Sequence, residues 1–273
     1  MANRSIGAYP KEAREMPRKL ILPVLLLVII ASSSVTAYEL EERWERSFPV
    51  AEDVEFVLQN VNGGIEVSSW DGNEILVEAL IRIKAPSKSK ARELHEKVDF
   101  EIEEKAGYLR IEADLPKIRQ VSMGLRDHIS IAVHYEVKVP RSIHLELESV
   151  NGGIDVEAVR GRFDIRTTNG SIDLRDMEGE GEVKTVNGGI ECRIIEFPSE
   201  GRLGLRTTNG GVHLWLPDDV GASLEAKTIN GRVDLDIPLV RSIRVKRRSI
   251  SGVLGKGGGR IVVKTINGGI SIE

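Results

Sequence analysis

The sequence is poor in cysteine and in aromatic residues, and each shortage argues against a class of protein. A single cysteine, Cys192, cannot form a disulfide within the chain, so a disulfide-held scaffold is excluded. That cysteine also lies far from the N-terminus, so it cannot carry a lipid anchor directly after a leader segment. Aromatic residues make up 4% of the chain, which favours a narrow interior of Val, Ile and Leu over a core of large rings.

The chain also lacks a large excess of charge of either sign. The formal net charge is −4 and the isoelectric point is about 5.9, so the bulk charge does not favour nucleic acid as a partner. Hydrophobic residues make up 41% of the chain and charged residues 29%. This balance allows a buried core and is unlike that of a disordered chain.

One apolar run, near the N-terminus, predicts export. Leu20–Ile30 follows two basic residues and precedes small residues that end at Ala37, which is typical of a signal peptide. The run is shorter than the roughly 20 residues of a spanning helix, and an uncleaved N-terminal anchor is the alternative. The sequence therefore predicts an extracytoplasmic protein, secreted or tethered to the membrane, with translation starting at Met1 or Met16.

A repeated Asn-Gly pair is the strongest pattern in the chain. It occurs in copies such as TTNGSIDL and TVNGGIEC, and its asparagines are Asn62, Asn151, Asn169, Asn187, Asn209, Asn230 and Asn267. From Asn151 onward the copies lie 18, 18, 22, 21 and 37 residues apart. Ser251-Gly252 is interpreted as a degenerate copy inside the longest gap. A period near 20 residues is typical of stacked supersecondary units.

Matching positions of the copies predict a strand on each side of the Asn-Gly pair. Ile172 and Leu174 flank the acidic Asp173, and the same alternation recurs in the other copies. Antiparallel hairpins in a sandwich or barrel are one alternative, because Asn-Gly is a common hairpin turn. Repeated residue identity favours parallel stacking instead. The predicted fold is all-β, a β-solenoid of about 18–22-residue coils with Asn-Gly corners.

The predicted corners contain polar residues that can satisfy one another. Stacked coils lie about 4.8 Å apart, so the amides of neighbouring asparagines can hydrogen-bond along the stack. Serine or threonine precedes each repeat asparagine after Asn62 by two positions, as at Thr167 and Thr185. The glycine after each asparagine is expected to provide the backbone angle that a corner needs. These features give the repeat a structural role that needs no ligand.

The chain divides into three predicted regions. Residues 1–37 are the signal peptide or anchor, 38–145 an irregular β region of wider rungs that continues or caps the solenoid, and 146–273 the regular repeats. A solenoid needs a cap to protect its first coil. Pro86–Val98 is the one convincing helical stretch.

Two longer stretches and the tandem copies together resemble a known family. The stretches are VNGGIEVSSWDGNEILVEALIRIK (Val61–Lys84) and YEVKVPRSIHLELESVNGGIDV (Tyr135–Val156). They resemble the putative-adhesin family of extracytoplasmic β-solenoid domains, a domain of unknown function in bacteria and archaea. The resemblance covers roughly residues 45–273. It implies an extracytoplasmic β-solenoid and no catalytic residue.

Candidates for catalysis or metal binding are weak. Cys192 occupies an apolar position of the repeat and is expected to be a buried small residue rather than a nucleophile. The five histidines show no zinc-ligand spacing, and the regular acids fit a strand face better than a calcium loop. We expect no enzyme, no cofactor and no metal. A carbohydrate-active enzyme on a β-helix stays open, because acids are abundant.

Positive charge is concentrated near the end of the chain. No acid occurs between Arg241 and Lys264. The cations singled out there are Arg241, Arg244, Lys246, Arg247, Arg248, Lys256 and Arg260. They predict contact with an anionic surface such as lipid headgroups or a wall polymer, with solvated strand faces as the simpler interpretation.

Two functional hypotheses follow from these patterns, besides the enzyme. The first is a non-enzymatic interaction or structural module of the cell envelope, with an unidentified envelope component or protein as partner and no nucleic acid. The second is end-to-end self-association through the C-terminal coil. That coil ends without an evident cap, and an uncapped coil exposes strand edges that invite pairing.

Overall fold

The computed structural model describes residues 27–28, 38–51, 53–116 and 129–273. Within them the chain forms 21 strands and one helix, α1 (Lys88–His95). The strands are β1 (Leu27–Val28), β2 (Tyr38–Pro49), β3 (Glu55–Asn62), β4 (Ile65–Trp70), β5 (Glu74–Ala85), β6 (Asp99–Lys105), β7 (Tyr108–Asp114), β8 (Ser130–Pro140), β9 (His144–Asn151), β10 (Ile154–Glu157), β11 (Arg160–Asn169), β12 (Ile172–Asn187), β13 (Ile190–Glu196), β14 (Arg202–Asn209), β15 (Val212–Trp215), β16 (Ala222–Asn230), β17 (Val233–Leu235), β18 (Leu239–Lys246), β19 (Ser249–Leu254), β20 (Gly259–Asn267) and β21 (Ile270–Ile272). The prediction of an all-β fold with one short helix is confirmed.

The strands that end at the repeat asparagines lie in one wall of the molecule, which we call the leading wall. Its spatial order is β6, β7, β3, β9, β11, β12, β14, β20, β16, β19 and β18. Pairing is parallel from β7 to β16 and antiparallel at both ends. The two edge strands, β6 and β18, therefore lie at opposite ends of the wall.

The strands that follow the asparagines lie in a second wall, the trailing wall. Its spatial order is β2, β5, β8, β4, β10, β12, β13, β15, β21 and β17. Pairing is parallel from β8 to β17. β12 runs through both walls, so they are parts of one curled sheet. β1 pairs antiparallel with β2, and the rest of the predicted segment 1–37 lies outside the described residues.

Parallel, in-register stacking builds the core between the walls. Ile172 lies beside Ile154 on one side and Ile190 on the other, and all three are buried. Leu174 is placed in the same way beside Cys192. Burying such aliphatic side chains contributes about 1.5–3 kcal/mol each. The repeats are therefore stacked coils rather than antiparallel hairpins of a sandwich or barrel.

The last coil of the chain does not lie at the end of the stack. β20 pairs with β14 on one side and with β16 on the other, so Asn267 lies between Asn209 and Asn230. β21 is likewise enclosed by β15 and β17. The premise of an uncapped C-terminal coil available for self-association is therefore wrong, because both edges of that coil are already paired.

The interpretation of Ser251-Gly252 as a degenerate corner is also wrong. Both residues lie in β19, which runs antiparallel to β16 and places Gly252 opposite Leu224. β18 then pairs antiparallel with β19. β18 and β19 form a hairpin that closes the end of the leading wall. The residues of this hairpin account for the longer spacing between Asn230 and Asn267.

Helix α1 packs near the opposite end of the stack, against β2 and β5. The Ser87 side chain accepts a hydrogen bond from the backbone N–H of Lys90 (3.3 Å), which caps the first turn. Ala91 and Leu94 are buried beneath the helix. The helix predicted over 86–98 is confirmed and is shorter at both ends. Within the described residues, no helix is long and apolar enough to cross a membrane.

Candidate functional site

The repeat asparagines form a ladder where the two walls meet. Asn151 donates its amide to Asn62 (2.9 Å), and each further asparagine donates to its neighbour at 2.8 Å. Along the stack the order is Asn62, Asn151, Asn169, Asn187, Asn209, Asn267 and Asn230. Because the amides bond to one another, the ladder satisfies its own polar groups at the corner.

The glycine after each asparagine is needed for close packing between coils. Of these glycines, only Gly63 has a left-handed φ (117°), so the expectation of a special backbone angle is wrong for the others. A Cβ at Gly188 would overlap the carbonyl oxygen of Gly170 in the next coil. That oxygen accepts a hydrogen bond from the Thr185 hydroxyl (2.9 Å). The threonine and the glycine thus hold neighbouring coils at short range.

An apolar column runs directly beside the asparagine ladder. Its larger members are 42–52% exposed, and they are Val61, Val150, Val186, Ile266 and Ile229. Neighbouring coils bring the same position to about 4.8 Å, so each side chain is partly covered by its counterparts. The column is a consequence of coil stacking, and its exposure is moderate.

The residues considered for chemistry do not converge. Cys192 is fully buried, and burial, reinforced by the negative charge of Asp173, raises the pKa of its thiol. His213 contacts Glu273 (2.8 Å), and His95 contacts Glu42 (2.6 Å). Within the described residues, no group of three or more His, Cys, Asp or Glu side chains is placed to hold a metal ion. His128 lies outside the described residues.

The outward acids of the repeat form a row across the trailing wall. Asp155 lies beside Asp173, and Arg175 contacts both, at 3.7 Å and 2.6 Å. Burial, with the charge of Asp173, raises the pKa of Asp155. Glu66 and Glu191 continue the row on either side. The acids of the row are spaced one per strand, and Glu66 and Asp155 also line an open cleft of about 670 Å³ on this wall.

Cations from separate parts of the sequence meet on the outward face of the leading wall. Five adjacent strands present them, namely β14, β20, β16, β19 and β18. We call this surface the basic face. Its cations are Arg202, Arg206, Lys227, Arg241, Arg244, Lys246, Arg260 and Lys264.

Strand register arranges the basic face in three lines across the five strands. The outer lines hold seven of the eight cations, and the middle line holds the eighth, Arg244, together with Glu225 and three uncharged residues. The first line is Arg202, Arg260, Ser223, Val253 and Arg241; the middle line is Gly204, Val262, Glu225, Ser251 and Arg244; the third is Arg206, Lys264, Lys227, Ser249 and Lys246. Four strand spacings make the face about 19 Å wide.

Few carboxylates neutralise this face. Lys264 lies 3.0 Å from Glu225, and its hydrogen bond holds the pKa of that carboxyl below the usual range. The charges of Arg260 and Lys227 act in the same direction. Arg206 contacts Glu182 at the margin (2.5 Å). Among the described residues, the side-chain charges of the other six cations have no carboxylate within 4 Å, although Glu180 accepts a hydrogen bond from the backbone N–H of Arg202 (2.9 Å). The face therefore carries positive charge without an ion-pair partner.

An open cleft of about 650 Å³ lies on the basic face. Arg202, Arg206, Arg260 and Ser223 line it, and the Glu182 carboxylate occupies the space where a side chain at Gly204 would lie. The stems of long basic side chains surround this depression, and Val262 is buried beneath them. The lining of the cleft therefore combines cations with the carboxylates of Glu182 and Glu200.

The edge strand β18 presents aliphatic residues next to its cations. Val240, Ile243 and Val245 are 74%, 72% and 65% exposed. The pairing of β18 with β19 shifts register twice, and the shifts leave Val240 and Ile243 outside the ladder. These are the most exposed large hydrophobic side chains in the described part of the chain.

The predicted cation cluster is only partly brought together. Arg241, Arg244, Lys246 and Arg260 belong to the basic face, whereas Arg247 and Arg248 lie in the exposed β18–β19 turn. Lys256 lies in the turn between β19 and β20. Lys264, at the end of the run without acids, also belongs to the face. Sequence reasoning missed the three cations that other coils add, which are Arg202, Arg206 and Lys227. For Arg206 and Lys227 the signal was the basic position three residues before the repeat asparagine.

One family and several solved structures are similar to this chain. The family model described as Toastrack DUF4097 matches residues 137–273, which is half of the chain. That range contains six of the seven Asn-Gly pairs. None of the curated proteins matches the sequence.

The solved structures are distant in sequence. A "putative cell adhesion protein" from Clostridium sporogenes is 15% identical, with 84% of this chain and 97% of that chain covered and a TM-score of 0.49. A "putative adhesin" from Bacteroides fragilis is 10% identical, with 85% and 97% covered and a TM-score of 0.32. A "putative lipid binding protein" from Parabacteroides distasonis is 10% identical, with 85% and 96% covered and a TM-score of 0.23. These values are too low to transfer a ligand or a partner.

Proposed function

This chain belongs to the Toastrack DUF4097 family, as the resemblance of its repeats predicted, and we propose that it is a non-enzymatic interaction module of the cell envelope. In this proposal the basic face docks the module on an anionic surface. The solenoid serves as a rigid support that holds the cations in fixed positions.

The uncompensated charge of the basic face is the observation that carries this proposal. The side-chain charges of six of its eight cations have no carboxylate within 4 Å among the described residues. A cation near an anionic membrane surface contributes on the order of 1 kcal/mol to binding. Several cations fixed on one face therefore suffice for reversible attachment, even though the net charge of the chain is −4.

A location outside the cytoplasm is the second part of the proposal. It is supported by the apolar run Leu20–Ile30 with its basic and small-residue flanks. The chain is then either secreted or held by this segment. The N-terminal sequence of the exported protein distinguishes the two, since cleavage after Ala37 leaves Tyr38 first.

The absence of an enzymatic role is the third part. Cys192 has its thiol pKa raised by burial, which makes it a poor nucleophile. The acids that favoured a carbohydrate-active enzyme are spread one per strand, and Arg175 contacts two of them. A glycosidase needs two carboxyl groups facing each other across a substrate, and this row supplies a different arrangement.

Fractionation of cells that express the full chain tests the docking. We expect high salt to release the wild-type protein from the envelope fraction, or to weaken its retention. The basic-face variant combines Arg241→Glu, Arg244→Glu and Lys246→Glu. It should be retained several-fold less at low salt.

The distal variant is the matched control for that experiment. It combines Lys88→Glu, Arg92→Glu and Lys138→Glu, three exposed cations near the other end of the stack. Its net charge changes by the same amount, but its basic face is intact. Equal retention of both variants and of wild type, unaffected by salt, would contradict the proposal.

A further inference from the structure

We propose that the anionic surface is a lipid bilayer, and that Val240, Ile243 and Val245 of β18 enter its headgroup and acyl boundary. This inference rests on the proposed docking function and names the target of the same face. Insertion of these aliphatic residues would distinguish the chain from a module that binds only soluble or wall-bound polyanions.

The degree of exposure separates these three residues from the other apolar side chains at the surface. The column beside the asparagine ladder is 42–52% exposed and is covered by like residues of neighbouring coils. Val240, Ile243 and Val245 are 65–74% exposed on the last strand of the wall. No further coil stacks on β18 within the described residues, so nothing there covers them.

Aliphatic and basic side chains are interleaved on β18. Val240 precedes Arg241, Ile243 precedes Arg244, and Val245 precedes Lys246. Register places the three cations on the outward face, opposite Val253, Ser251 and Ser249 of β19. Val245 instead lies opposite the buried Ile250, on the other side of the sheet. The strand thus presents its cations on the outward side, Val245 on the opposite side, and Val240 and Ile243 at the two breaks in the ladder.

Protection of the sheet edge explains only part of this arrangement. Natural edge strands are blunted by bulges and by charged residues, which block pairing with another chain. β18 has both devices, but exposed valine and isoleucine would work against them. A second copy paired through β18 in antiparallel fashion would also place like charges opposite one another. The aliphatic residues therefore need a different partner.

An anionic bilayer satisfies both kinds of side chain. Peripheral segments that combine basic residues with apolar ones bind at the interface, with cations among the headgroups and apolar groups several Å deeper. No acid occurs between Arg241 and Lys264 to oppose the approach. A soluble polyanion would use the cations and leave the aliphatic residues in water.

Binding to two probes separates these ligands. The probes are vesicles of mixed zwitterionic and anionic phospholipid, and soluble polyphosphate. The aliphatic variant combines Val240→Ser, Ile243→Ser and Val245→Ser in the full chain. We expect it to bind vesicles at least about tenfold more weakly than wild type, while its polyphosphate affinity stays within about twofold. The basic-face variant should lose affinity for both probes.

A depth measurement tests insertion directly, and the buried thiol of Cys192 makes it practicable. A nitroxide is attached to Ile243→Cys, or to Glu104→Cys on β6 as the control, because a buried native thiol reacts slowly. With anionic vesicles, the label at 243 should become accessible to oxygen and protected from a polar relaxing agent. The label at 104 should stay aqueous.

The outcomes distinguish the inference from the function on which it rests. Normal vesicle binding by the aliphatic variant, with an aqueous label at 243, overturns insertion and leaves the docking function standing. Insertion is also overturned if the wild-type chain forms concentration-dependent oligomers and the aliphatic variant does not, because a second copy of the chain then covers β18. A wild-type chain that binds neither probe overturns the docking function and the inference together.

Discussion

The two consecutive glycines of an Asn-Gly-Gly copy are under different steric demands. A Cβ at Gly188 would overlap the carbonyl oxygen of Gly170, whereas a Cβ at Gly189 would lie 3.6 Å from the carbonyl oxygen of Gly211. Neither glycine has a left-handed φ. The first glycine is therefore fixed by the distance between coils and the second is not.

Alanine substitution at these neighbouring positions tests that difference. Gly188→Ala should lower the free energy of unfolding by about 2–4 kcal/mol, because backbone atoms of two coils must separate. Gly189→Ala should change it by less than about 1 kcal/mol. Urea denaturation of both variants measures the two values. Similar losses at both positions would show that coil spacing is not the constraint.

At the residue scale, the sequence predicts which side chains are buried better than it predicts why a glycine is needed. The alternation at Ile172, Asp173 and Leu174 follows from strand geometry alone, and the burial agrees. The demand on Gly188 comes from an atom in another coil, 18 residues earlier in the chain. A single sequence shows the repeat but not how closely the backbones of neighbouring coils approach each other in space.

Among the elements, one carboxylate links three segments of the stack. Glu178 on β12 is largely buried and contacts Arg160 on β11 and Arg141 before β9 (2.8 Å). The hydrogen bond from Arg141 is the largest cause that lowers the pKa of Glu178, and Arg160 adds to it. A lowered pKa in the folded state means that the ionised carboxylate stabilises the fold.

The sign of this linkage predicts how stability depends on pH. The contribution of Glu178 is fully present above its unfolded pKa, about 4.3, and is lost as pH falls through the lower folded value. Glu178→Gln should therefore cost about 1–3 kcal/mol at neutral pH, with a shrinking difference from wild type below about pH 4. Denaturant unfolding at several pH values measures it.

The exposed Glu191→Gln is the matched control for that substitution. Glu191 lies on the adjacent strand β13, and no cation contacts its carboxylate among the described residues. Its substitution should leave stability within about 0.5 kcal/mol of wild type. A pH-independent loss in Glu178→Gln would show that packing, rather than charge, is responsible.

The order of elements along the stack is the part that sequence reasoning could not supply. Every coil has the same apolar and polar columns. The edge of β14 therefore fits β16 and β20 equally well. The chain instead places β16 outside β20 and closes the end with the β18–β19 hairpin. Because the strand edges of the coils are equivalent, the spacing of the repeats does not determine the stacking order. That order is a property of the whole fold.

At the scale of the whole molecule, charge is separated between the two ends of the leading wall. The edge strand β6 presents Asp99, Glu101, Glu103 and Glu104, all exposed. β18 and the basic face lie at the other end, ten strand spacings or about 48 Å away. An anionic surface therefore attracts the basic end and repels the acidic end, which orients the molecule with its basic end toward that surface.

The basic face itself was only half predictable. Its contributors from β18 and β20 are close in sequence, and the run without acids predicted them. Arg202, Arg206 and Lys227 come from coils that the inserted last coil brings alongside. Because their place depends on the stacking order, the full face is seen only in the folded chain.

Vesicle binding by the purified full chain, in low and high salt, tests the docking claim most directly. We expect wild type and the distal variant to bind anionic vesicles alike, with affinity that falls steeply as salt rises and is weak for zwitterionic vesicles. The basic-face variant should bind anionic vesicles at least about tenfold more weakly at low salt. Equal affinity of the three proteins, whatever the salt or lipid charge, would contradict the claim.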